Sequence, residues 1–153
     1  MTPREGGGAR RDGAGVCAIR IAAALIEDGA GRLLLVRKAG TALFMQAGGK
    51  IERGESPAAA LCRELREEIA FDIRPAAILP LGLFGAPAAH EPGRIVEAAL
   101  FHVLTGQVPA PGHEIAEAIW VTPAEARAMP LAPLTRDQVL PLAGKFGDGT
   151  AGR

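Results

Sequence analysis

From Val16 to Ile26 the chain is an almost continuous apolar run, broken only by Arg20, and it ends at the turn cluster "EDGAG". The apolar run "RLLLVRK" follows, so the two predict a β-hairpin. "TALFMQA" reads as a short extended piece leading into Gly48-Gly49. A helix is predicted to start at Ser56, which offers a hydroxyl cap, with Pro57 at the first helical position. "AAILPLGLFG" and "RIVEAALFHVLT" read as strands on either side of a Pro/Gly/His loop, Ala86 to Gly93. "EAIWV" is a further strand. "TPAE" opens a second helix, over Thr122 to Met129, with a capping box. A similar pattern from Thr135 to Gln138 predicts a last helix, which Pro141 should shorten or kink. Strands then helix, twice over, predict a mixed α/β sandwich around one sheet.

The 153 residues suit one domain with a real core, expected over 16–147, with tails at 1–15 and 148–153. The first tail reads as disordered from its glycine content. The net charge is zero, which argues against nucleic-acid or membrane-surface binding. Cys17 and Cys62 form no CxxC pattern, so no zinc site or disulfide framework is expected, as fits a cytoplasmic protein. No apolar run is long enough to span a membrane, and the start lacks a signal-peptide core.

The helix after Ser56 carries Glu64, Glu67 and Glu68 near its C-terminal end. Carboxylates three and four apart repel by roughly 0.2–0.5 kcal/mol per pair. The negative end of the helix dipole adds to that cost. At about 100° per residue, Ala58, Leu61, Cys62, Leu65 and Ile69 make one apolar face. The three glutamates share an arc beside it, with Ala60 inside that arc and Arg63 on its flank. The arc is either a solvated face or a site for Mg²⁺ or Mn²⁺, whose charge would remove the repulsion. The preceding loop favours the cation. Gly48, Gly49 and Gly54 permit close backbone approach to a ligand, Lys50 and Arg53 add positive charge, and Glu55 precedes the cap.

Gly49, Glu55, Arg63, Glu64, Leu65, Glu67, Glu68 and Phe71 match the spacing G-x5-E-x7-R-E-U-x-E-E-x-G-U, where U is bulky and apolar. The segment therefore resembles the Nudix box, with Ala70 in place of the pattern's glycine. The resemblance implies an α/β/α sandwich around a mixed β-sheet. It implies hydrolysis of a nucleoside diphosphate linked to another moiety, by water attack on phosphorus. Glu64, Glu67, Glu68 and the Gly48 carbonyl would be metal ligands. Glu55 and Arg63 would hold one another and orient the loop against the helix.

The segment "GGKIERGE" looks most like the MutT-type branch, which releases pyrophosphate from nucleoside triphosphates. That branch's extra metal-site glutamate matches Glu114, six residues before Trp120; the other reading of Glu114 is an ordinary loop acid. Its guanine-reading asparagine would fall near Thr135, which cannot offer an amide's paired donor and acceptor. ADP-ribose pyrophosphatases resemble one another in a proline sixteen residues past the box, where Pro87 stands. Dinucleoside polyphosphate hydrolases tend to carry a tyrosine there, and this chain has no Tyr.

Arg37, Lys38 and Lys50 are candidate phosphate contacts, or else solvated strand-end charges. Phe44 and Phe84 are candidate base contacts, or else core. His90, in the long loop, could reach a substrate or else is plain surface loop; His102 and His113 fit no ligand spacing, and Cys62 is read as an inert core residue. The expected protein is a metal-dependent pyrophosphohydrolase, monomeric or homodimeric. The alternatives are an ADP-ribose or nucleotide-sugar pyrophosphatase and a non-catalytic nucleotide-sensing domain.

Overall fold

The computed structural model describes residues 9–11 and 17–146. Eight strands join one sheet: β1 (Ala9–Arg11), β2 (Cys17–Glu27), β3 (Leu33–Lys38), β4 (Phe44–Met45), β5 (Gly48–Lys50), β6 (Leu79–Pro87), β7 (Ile95–Leu104) and β8 (Ile115–Val121). Helix α1 spans Pro57–Ile69 and helix α2 spans Pro123–Arg127. The main path runs β4-β3-β2-β7-β6, with β1 and β5 also on β2 and β8 on β3. Only β2 and β7 run parallel, so the sheet is mixed. Strand β1 pairs with β2 through residues assigned above to a tail. The rest of both tails lies outside the described residues.

The predicted hairpin forms, but only at its turn. β2 and β3 pair at Glu27–Leu33, beside the turn, and then part. Beyond that point β2 takes β5 through Ile21, Ala22 and Ala23, while β3 takes β8 and β4. This divergence opens the sheet where β5 delivers Gly48 and Gly49.

Both faces of the central strands are covered, which is why they read as unbroken apolar runs. Alternate residues go to opposite sides. Ala22, Ala24, Ile26, Leu34, Val36, Phe101 and Val103 pack with Leu61, Leu65 and Ile69 of α1. Ala23, Leu25, Leu33, Leu35, Ala98 and Leu100 pack under α2 and the C-terminal segment. Burying each α1 anchor contributes roughly 1.5–3 kcal/mol.

Ser56 caps α1, its hydroxyl accepting from the Ala59 N–H at 3.1 Å. At the other end Ala70 is left-handed, φ 61°, and the Ala70 and Phe71 N–H groups close back onto Arg66 and Leu65 carbonyls. The geometry that suits glycine is thus kept with alanine in it. Thr122 and Glu125 form the predicted capping box on α2.

The predicted box at Thr135 does not form. A π-helical turn spans Thr135–Val139, and its preceding residue Leu134 is already helical. Thr135 is therefore inside the helical path and fully buried, and its hydroxyl goes elsewhere.

Candidate active site

Helix α1 presents the row Ala60, Glu64, Glu68 toward the β5 loop. Gly49 approaches the Glu64 carboxyl so closely that an added Cβ would lie 2.7 Å from its Oε1. Gly48 has φ 148°, and a Cβ there would run into the Ala22 carbonyl. These two glycines are needed for close approach. The Gly48 N–H donates to Glu68 Oε1 at 3.2 Å. Ala60, one turn before Glu64 on the same row, is fully buried in the core. The arc divides: Glu68 is buried, Glu64 half-buried and Glu67 turned outward.

Arg63 lies among the acids. Its Nε and Nη2 donate to Glu55 Oε2 and Oε1 at 2.7 and 2.9 Å. Its Nη2 also reaches the Lys50 carbonyl at 3.1 Å, so the helix grips the loop at two points. Arg63 further pairs Nη1 with Glu64 Oε2 at 2.9 Å and lies 3.5 Å from Glu67 Oε1. Hydrogen bonding from Arg63 brings the Glu55 carboxyl down to about 2. Part of the repulsion noted in the sequence is thus answered within the chain.

The segment 110–114 closes over the same end of the helix. The Ala110 and Gly112 N–H groups donate to the Ile69 and Glu68 carbonyls at 3.0 and 2.9 Å, satisfying the helix end. That strap brings His113 Nε2 to 3.5 Å from Glu67 Oε1, a contact no sequence spacing signalled. It also brings Glu114 to the acids. Burial, and then the charges of Glu64 and Glu114, push the Glu68 carboxyl up to about 7, against the opposing effects of the Gly48 N–H and Lys38.

A buried carboxyl facing two others is the electrostatic situation that a divalent cation relieves, and hard oxygen donors suit Mg²⁺ or Mn²⁺. The donor chemistry therefore fits the ion. The ligand shell is not closed: among the described residues no three His, Cys, Asp or Glu side chains converge on one point. Glu64 and Glu67 are turned to Arg63 instead.

Beside this cluster lies a cleft of about 200 Å³. Ile19, Ile21 and Val96 form its apolar floor, and Gly48, Gly49 and Lys50 form the edge it shares with the acids. Lys38 and Lys50 both line it, as phosphate contact requires. Arg37 and Phe44 do not. Successive strand residues face opposite ways, so Lys38 and Arg37 part company. Arg37 Nε donates to Glu117 at 2.8 Å and its guanidinium covers the Phe44 ring at 5.9 Å. The Phe44 backbone is tied to Pro130 and Ala132, and its ring packs on the core beneath α2. Phe84 packs on that same core.

His90 lies on the cleft wall with Pro87 to Glu91. Two other cleft features escaped the sequence reading. Ala132 and Leu134 reach the wall from the far end of the chain. Gln46 is buried at the wall, and its signal was available as a lone amide in the apolar stretch "LFMQA".

A glycine loop clamped by an arginine to a carboxylate-bearing helix, opening on a cleft with two lysines, defines a phosphoanhydride hydrolase. The NUDIX domain model matches residues 18–143, and the chain belongs to the Nudix family. It is 35% identical over 120 residues to the CTP pyrophosphohydrolase of Escherichia coli K12, covering 75% of this chain and 84% of that protein. The solution structure of the E. coli ORF135 protein superposes with a TM-score of 0.64 at 30% identity, covering 82% of this chain and 91% of that one. The E. coli dihydroneopterin triphosphate pyrophosphohydrolase shares the fold, with a TM-score of 0.69 at 14% identity over 83% of this chain and 96% of that one. The chain is a Nudix hydrolase acting on pyrophosphate bonds. Among the described residues no helix is long and apolar enough to cross a membrane.

Proposed function

We propose that this chain is a Mg²⁺- or Mn²⁺-dependent pyrophosphohydrolase of nucleoside triphosphates, with CTP as its leading substrate. The observation that carries the reading is the shared edge Gly48–Lys50, which places the cleft directly against the helix acids. A nucleoside in the cleft thereby directs its phosphates toward Glu64, Glu67 and Glu68. The relative's activity toward CTP supports the choice of nucleotide.

Glu64, Glu67, Glu68 and the Gly48 carbonyl would hold the cation, with Glu114 as a further ligand. A bound divalent ion neutralises phosphate oxygens and lowers the pKa of its water. Lys38 and Lys50 draw the phosphates in as point charges. Arg63 and Glu55 keep the glycine loop seated on the helix, so that positions are set before substrate arrives.

Pro87 lines the cleft, which is the one observation favouring ADP-ribose. Steady-state formation of the nucleoside monophosphate from CTP, UTP, ATP, dGTP and ADP-ribose across a Mg²⁺ titration separates these readings. Wild type should act on CTP, and Glu67→Gln should lose 10²-fold or more in kcat, on the order of a removed electrostatic stabiliser. Glu114→Gln should lose activity that higher Mg²⁺ partly restores. Tight nucleotide binding with no hydrolysis at any Mg²⁺ concentration would identify a sensing domain instead.

A further inference from the structure

We propose that Gln46, held by Thr135, reads the nucleobase and selects cytosine over uracil. The inference rests on the cleft being the nucleotide site. It adds the residue that chooses the base and the hydrogen-bonding reason for the choice.

The Thr135 hydroxyl donates to Gln46 Oε1 at 2.6 Å, and both residues are buried. That contact fixes the amide plane and occupies its carbonyl end. No acceptor among the described residues pairs with Gln46 Nε2. Nor is Nε2 sealed in the protein as a buried, unsatisfied atom. Gln46 lines the cleft, and its amide nitrogen is the end left for a ligand there. An amide kept only for packing would have both ends paired. Here one end is tied down and the other is presented to the site.

With its oxygen occupied, the amide offers the cleft donors alone. Cytosine presents two adjacent acceptors, N3 and O2, to such a group. A donor aimed at ring position 3 meets a lone pair in cytosine but the N3–H in uracil, whose acceptors O2 and O4 lie to either side. The walls suit a single ring: Ile19, Ile21, Val96 and Leu134 are apolar and bulky, and about 200 Å³ is small beside the roughly 300–1,000 Å³ of clefts for larger ligands. Thr135 is a positioning residue, since it acts on the base only through Gln46.

The test is kcat/KM for CTP and UTP, together with metal-free equilibrium binding of CMP and UMP. The variants are Gln46→Leu, Gln46→Glu, Thr135→Val and Thr135→Ser. Wild type should prefer the cytosine nucleotide by roughly 2- to 10-fold in both measurements, the scale of one net hydrogen bond. Gln46→Leu should bring the ratio near one. Gln46→Glu keeps an acceptor for Thr135 but replaces the donor facing ring position 3 with an acceptor, which repels the cytosine N3 lone pair and receives the uracil N3–H, so the ratio should fall. Thr135→Val should lower the ratio, and Thr135→Ser, which retains the hydroxyl, should preserve it. Gln46→Glu and Thr135→Ser retain the buried hydrogen bond, so they carry the test if the apolar variants unfold. A wild-type ratio near one, or a ratio unmoved by Gln46→Glu, overturns the inference and leaves the hydrolase reading standing. Gln46-dependent preference for CMP in a protein that hydrolyses no nucleotide supports the inference and overturns the enzymatic reading.

Discussion

Arg63 and Glu55 meet through two parallel hydrogen bonds, 2.7 and 2.9 Å long, and so lock the glycine loop to the helix that follows it. A planar guanidinium matches a carboxylate in this way, and a lysine ammonium does not. Arg63→Lys should therefore lower turnover on CTP while leaving Mg²⁺ affinity within a few-fold. Full turnover in the variant would show that catalysis does not need the clamp.

The same pair sets a pH dependence. The Glu55 carboxyl sits at about 2, below its ordinary 4.5, chiefly through Arg63. A depressed carboxyl stabilises the fold fully above its unfolded pKa. That contribution fades as pH falls from about 4.5 toward 2. Glu55→Gln should therefore melt lower than wild type at pH 6, and the gap should close as the pH approaches 2.5. Melting curves across that range check it; a constant gap would contradict the linkage.

Glu68 is buried, with Glu64 and Glu114 acting on it. A cation that binds only the folded chain stabilises it by mass action. Millimolar Mg²⁺ should raise the wild-type melting temperature, and Glu68→Gln should respond far less. In metal-free buffer the same variant should match or exceed wild type, since it removes a buried charge yet keeps an acceptor for the Gly48 N–H. No response of wild type to Mg²⁺ or Mn²⁺ would count against the metal site.

Ala70 holds φ 61° at the end of α1. Glycine adopts that conformation without a Cβ penalty. Ala70→Gly should stabilise by about 1 kcal/mol, or about 2–4 °C in melting temperature for a chain of this size. Kinetic constants should stay unchanged. A lower melting temperature would mean that the left-handed turn is not strained.

The sequence by itself carried what lies within one stretch of chain. From Gly49 to Phe71 the spacing of glycines, acids and Arg63 follows helix geometry, and the Glu55–Arg63 contact joins residues eight apart. The capping residues Ser56 and Thr122 were legible for the same reason: a cap acts on an N–H three positions on. The tertiary structure decided what depends on strands meeting across long intervals. β2 leaves β3 for β5 on one edge and pairs with β7 along the other, because its apolar residues fill two cores and its hydrogen bonds must be met along its whole length. Ala60 became core, and the acidic arc divided, when the β5 loop closed over one row of the helix. Arg37 and Phe44 were turned from the cleft by the alternation of strand faces. Gln46 and Thr135, 89 residues apart, meet only because the C-terminal segment folds back to the wall of the cleft. Local geometry repeats with a period that a sequence displays. Which distant surfaces bury one another depends on the packing of the whole chain.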